Sequence, residues 1–203
     1  MRPGIRLMRR FSMKSKLIAI GLLLVIPLVL ATLMLTQRLL ADVSMTDSEL
    51  EGLAGVDALT EVVLQLQAHR GLTNRVLSGD ETAKGPRDAT RQKLRQALDA
   101  TDALARSAPK LALQSVWPAQ RQAIEALMAD GNPLPRAQQF AAHSAQVAKL
   151  IDTVDYIGET SELLFDPQPD TYFLMDVIVS RTLPWIESMA VLRGAGSGLL
   201  ARG

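Results

Sequence analysis

Arg70 is the residue of this sequence that most invites a chemical reading. It lies in Gln67-Ala68-His69-Arg70-Gly71-Leu72-Thr73-Asn74-Arg75 and occupies a position where apolar residues otherwise recur. Val56, Leu59, Val63, Leu66, Arg70, Thr73 and Leu77 follow one another at steps of three and four, the spacing of one helix face. A guanidinium on such a stripe is costly unless it is paired or hydrogen-bonded. One partner would be a small anionic ligand held between helices, because the planar fork suits carboxylates and nitrogen oxyanions. The other would be an acid on a neighbouring helix, with Asp152, Asp155 and Glu159 as candidates. Arg193 and His143 are the further candidate ligand contacts. His143 sits on a second stripe, where a partner-bonded core histidine is the competing reading, and Arg193-Gly194 with Gly196 and Gly198 also fits close helix approach.

Other chemistries find no residues to carry them. The chain has no cysteine, which removes disulfides, thiolate metal sites and thiol nucleophiles. Its two histidines, His69 and His143, are too few and too far apart in sequence to suggest a metal centre. No HExxH, P-loop or GxSxG run appears, and no serine has a histidine and an acid at a signature spacing. We therefore expect no enzyme, no cofactor and no metal. Arg75 falls off the stripe and reads as a surface residue. Tyr172, Phe173 and Trp185 read as packing, with walls of a ligand pocket as the alternative.

The elements that must position these residues are all helical. Alternating patterns are absent after residue 40, whereas a second stripe runs through Phe140, His143, Val147, Leu150, Val154, Ile157, Ser161 and Leu164. GDETAKGP after Leu77 ends one helix, and DGNPLP at 130–135 is a clear turn. These signals place helices at about 46–78, 86–107, 115–129 and 135–165, an antiparallel up-down bundle. Asp166 is expected to cap a further helix, Pro184 to bend or restart it, and Trp185, Met189, Leu192, Ala195 and Leu199 to repeat the bundle spacing.

Charge separates the chain into parts. Of 22 basic residues, Arg2, Arg6, Arg9, Arg10, Lys14, Lys16 and Arg38 fall in the first 40 positions, which hold no acid. Fifteen basic residues then face 21 acidic ones, so the remainder is acidic and unsuited to nucleic acid. Leu17 to Leu35 is an uncharged apolar run of the ~20 residues that cross a bilayer. Six basic residues precede it, while Asp42, Asp47, Glu49, Glu51, Asp57 and Glu61 follow before Arg70. The positive-inside rule then gives a basic cytoplasmic tail (1–16), a transmembrane helix (17–37) and a periplasmic region (38–203) of a single-pass bacterial inner-membrane protein. A cleaved signal peptide shares these features, with Val29-Leu30-Ala31 as its site, but the run is long for one and continues past Ala31. The helical pattern stops in mid-stride at Leu199-Leu200-Ala201-Arg202-Gly203, which suggests a fragment of a longer chain.

Three stretches carry a family resemblance: the basic tail with its anchor, the Gln67–Arg75 run, and Asp166-Pro167 through Tyr172-Phe173-Leu174-Met175-Asp176 to Leu183-Pro184 and Leu192-Arg193-Gly194. Together, over nearly the whole chain, they resemble the amino-terminal region of a bacterial methyl-accepting chemotaxis protein. The resemblance implies a helical ligand-sensing region that signals in chemotaxis and works as a homodimer through parallel first helices. Similar regions precede histidine kinases and diguanylate cyclases, and an anchored periplasmic scaffold without a ligand is the third reading.

Overall fold

The computed structural model describes residues 12–164 and 169–200. Arg2, Arg6, Arg9, Arg10, the expected cap Asp166 and the terminal 201–203 lie outside the described residues. Among the described residues the fold is all-α, without a strand. Contacts divide the chain into two units, Met1–Thr46 and Asp47–Gly203.

Helix α1 is Met13–Val76, 64 residues long. In the first unit its apolar side chains stand exposed from Leu17 to Leu35, and this part is long and apolar enough to cross a membrane. Pro27 lies inside α1 without ending it. The hydroxyls of Thr32 and Thr36 donate back to the carbonyls of Leu28 and Thr32, at 2.8 and 2.9 Å, so neither depends on an outside partner.

The second unit is a helical bundle. Here α1 ends in a Schellman turn: Gly79 N–H bonds Val76 O and Asp80 N–H bonds Arg75 O, with Gly79 at φ +98°. Leu77 therefore lies beyond the helix and is 43% exposed, contrary to its expected place on the stripe. The other six stripe residues are buried. Asp80 caps a 3-10 turn, accepting from Thr82 N–H, and α2 follows at Lys84–Ser107. Two more 3-10 turns lead into α3, Trp117–Met128. The Trp117 indole N–H donates to Asp102 at 2.5 Å and Arg121 bonds the same carboxylate, which ties α3 to α2.

Helix α4 is Arg136–Thr160. It stops five residues short of the expected end because Glu162 turns left-handed at φ +67°. Its expected stripe is buried from His143 through Ser161, with Phe140 and Leu164 half-buried. Added Cβ atoms show how closely it approaches α1: one on Gly52 would lie 2.0 Å from Ser161 Oγ, and one on Gly55 3.2 Å from Ile157. With His69 against His143 at the other end, α1 and α4 run antiparallel in a fixed register.

The chain resumes with α5 (Pro169–Met175), a π-helical segment (Asp176–Arg181) and α6 (Thr182–Leu200). Helical geometry continues through Thr182, whose N–H bonds Val177 O, so Pro184 lies in a continuing helix just after the π segment, and the widened turn falls where proline removes an N–H donor. The buried stripe is Val179, Leu183, Ala190 and Gly194, with Glu187 half-buried between them. This corrects the expected one: Trp185, Met189, Leu192 and Ala195 are exposed, and the Leu199 side chain lies outside the description. Towards its end the buried face narrows to Ala190 and Gly194, because α6 packs close there, with a Cβ on Gly194 only 2.8 Å from the Phe140 ring.

Apolar side chains from α1, α2, α3, α4, the π segment and α6 make one core, including Leu59, Leu66, Leu94, Leu98, Ile124, Leu150, Val179 and Leu183.

Candidate functional site

Arg70 is 1% exposed, as its place on the stripe predicts. Its partner, however, is none of the three acids named above. Nη1 lies 2.5 Å from Glu187 Oε1 and Nη2 3.1 Å from Oε2, a bidentate pair with α6. Nη1 also donates to Ser144 Oγ at 2.8 Å, and the guanidinium carbon stands 5.0 Å from the Phe140 ring centroid, in cation–π range. The register explains the correction. Arg70 is level with Phe140–Ser144, and Asp152 lies about 12 Å further along α4 at 1.5 Å per residue, with Asp155 and Glu159 beyond it. Asp155 instead bonds Ser180, and burial raises its carboxyl above the usual range.

Arg70 is the middle of three polar contacts from α1 to α6. Gln67 Nε2 donates to Glu187 Oε2 at 2.8 Å, and Asn74 Nδ2 donates to the Gly194 carbonyl at 3.0 Å. Gln67, Arg70 and Asn74 are each 5% exposed or less. Their spacing of three and four puts them on one face, and Glu187 and Gly194 are seven apart, so the partners share a face of α6. Arg136, at the start of α4, donates to Asn74 Oδ1 at 3.0 Å and joins a third helix to the network.

His143, fully buried, belongs to the adjoining layer. Its Nδ1 lies 2.7 Å from the Gln139 carbonyl, which can only accept, so Nδ1 carries the proton. Nε2 then accepts from His69 Nδ1 at 3.1 Å, and the rings stack at 5.3 Å. Both histidines are neutral in this arrangement. His69 is lowered to about 3, by burial first, then by the adjoining His143 and by the Arg91 and Arg87 guanidiniums. Burial also lowers His143, with Arg70 adding to the effect and the Gln139 bond opposing it. His69 Nε2 is buried without a hydrogen-bond partner among the described residues.

Arg193 is not brought to Arg70. It is exposed and lines two adjoining depressions of about 470 and 440 Å³ between α1 and α6, which share Gln67, Ala68, Ala190 and Arg193. Trp185 and Met189 wall one end, 67% and 55% exposed, so the indole is not the packing residue expected. Phe173 and Tyr172, also expected to pack, are 64% and 41% exposed. Arg75 closes the other end, bonded to Asp80 at 2.6 Å.

No family model, curated protein or solved structure matches this chain. The arrangement binds helix to helix through a buried ion pair and amide contacts, and it places in an adjacent groove a guanidinium without an ion pair among the described residues. The sequence reading missed Glu187, Gln67 and Asn74. A legible signal was present: Gln67 and Asn74 flank Arg70 at helical spacing, and Glu187 falls four residues after Leu183 and three before Ala190. Ranking stripes by apolar bulk hid it.

Proposed function

We propose that this chain is the extracytoplasmic sensing region of a single-pass transmembrane chemoreceptor, anchored in a bacterial inner membrane with its N-terminus in the cytoplasm and working as a homodimer. It binds a small anion, catalyses no reaction and signals by repacking helices. What supports this reading is the docking of α6 on α1. The contact is made by Gln67, Arg70 and Asn74 reaching Glu187 and the Gly194 carbonyl, so it depends on a few discrete polar bonds. An element held this way has distinct made and broken states, as a switching transition requires, and a ligand favouring one state shifts the population. Such a shift would act on α1, the helix that also contains the apolar run.

Orientation is tested by alkaline phosphatase joined after residue 110, which should be active, and an inactive fusion would overturn it. Signalling is tested by joining residues 1–203 to the second transmembrane helix and cytoplasmic part of a chemoreceptor, which returns the chain to the cytoplasm. Kinase output should shift in Glu187→Ala, and an output indifferent to every α1–α6 contact would make the chain a scaffold.

A further inference from the structure

We propose that the groove between α1 and α6 binds a small organic monoanion with a flat apolar body, an aromatic carboxylate in kind, held by Arg193 and stacked on Trp185. The proposal deepens the sensor reading by naming the class of its ligand. Charge accounts for the anion. Asp80 neutralises Arg75, and Glu187 is engaged by Arg70 and Gln67, whereas Arg193 makes no ion pair or hydrogen bond among the described residues. The groove therefore carries one uncompensated charge, and it is positive. A dianion would leave a charge unanswered, which a partly desolvated site penalises.

Shape and surface account for the flat apolar body. The floor is made of small residues, Ala68, Gly71 and Ala190, and a Cβ added to Gly71 would meet nothing within 4 Å. Of the two tryptophans, Trp117 is 2% exposed and bonded in the core, while Trp185 stands 67% exposed beside Met189 at the groove's end. The exposed indole and the free guanidinium line the same depression, so one occupant of it meets a stacking face and a charge-assisted fork. Each depression, at about 470 or 440 Å³, falls in the range of small-molecule sites. Gln67 lines both depressions and also donates to Glu187, so an occupant touching Gln67 bears directly on the carboxylate that holds Arg70.

The test is calorimetric titration of the full chain in nanodiscs with benzoate, benzyl alcohol and benzylamine, with Trp185 fluorescence followed in parallel. Benzoate should bind saturably, and benzyl alcohol and benzylamine at least about tenfold more weakly, since neither offers a negative charge or the paired oxygens that meet both guanidinium donors. Arg193→Gln should weaken benzoate by at least about tenfold. Gly71→Leu should abolish binding by filling the groove, with unchanged circular dichroism because the added side chain enters open space. Absence of saturable benzoate heat up to about 10 mM, weaker than any affinity of use here, would overturn the site, as would equal benzoate affinity in Arg193→Gln or equal binding of the alcohol. Binding is read on purified protein. Benzoate that binds while the chimera's output ignores every α1–α6 contact keeps the site and removes the sensor reading; an output that responds to those contacts in a chain that binds no benzoate does the reverse.

Discussion

Arg70 and Glu187 form a pair in which one partner is 1% and the other 16% exposed, so removing either leaves a charge that water reaches poorly. Arg70→Ala or Glu187→Ala is expected to cost about 3–5 kcal/mol in chemical unfolding. The double replacement Arg70→Met with Glu187→Met should cost far less than the sum of the single changes, because it leaves no orphan. Single costs that simply add would show that the two groups do not act as a pair. The histidines give a pH signature with a definite sign. Their folded-state values lie below the ordinary ~6.5, so their contribution is complete above that pH and is lost as pH falls from there towards the folded value, about 3 for His69. Arg91, Arg87 and Arg70 face the pair and oppose its protonation, while Asp88 favours it weakly. Stability should fall by about 1–2 kcal/mol between pH 7 and 5 through His69 alone. His69→Gln should flatten that slope, measured by urea unfolding across the range, and an unchanged slope would show that other groups carry it.

Helix α1 carries two glycines for which the same substitution should have opposite signs. Gly52 lies where α1 meets α4, and an alanine Cβ there would fall 2.0 Å from Ser161 Oγ and 2.3 Å from its Cβ, so the helices must move apart. Gly71 opens onto the groove with nothing in reach. Gly52→Ala should therefore destabilise the bundle by about 1–3 kcal/mol through overpacking. Gly71→Ala should stabilise it by up to about 1 kcal/mol through helix propensity. Thermal unfolding of the two variants checks the contrast, and a gain in both would mean that α1 and α4 are not held at this distance.

In the whole molecule, large apolar side chains remain on the outside of the bundle, including Leu50, Leu53 and Leu64 on α1. Surface of this kind on α1 fits the proposed parallel homodimer, in which equivalent positions of two first helices face each other across a twofold axis. Because the chain has no cysteine, a single introduced thiol reports on that axis without background. Leu53→Cys in membranes should form a disulfide-linked dimer under mild oxidation, whereas Leu98→Cys, buried in the core, should not. Equal crosslinking at both positions would point to random collision, and none at Leu53 would place the dimer axis elsewhere.

The all-helical class, the apolar run able to cross a membrane, the stripes of α1 and α4 and the burial of Arg70 were all legible from the sequence. Each follows from local periodicity or from an uninterrupted apolar length, which neighbouring residues determine among themselves. The partner of Arg70 was not legible, because it depends on the register of α1 against α4 and on where α6 docks, and side chains far apart in the chain set both. Asp152, Asp155 and Glu159 were reasonable acids on the right helix, displaced by two turns or more along an antiparallel pair. The face of α6 failed for a related reason. Apolar bulk pointed to Trp185, Met189 and Leu192, but close approach to Phe140 requires a small residue at Gly194, and Glu187 joins that buried face because Arg70 is there to receive it. Tertiary packing thus decided which face of α6 is inside, and in doing so left the tryptophan and Arg193 together in the groove.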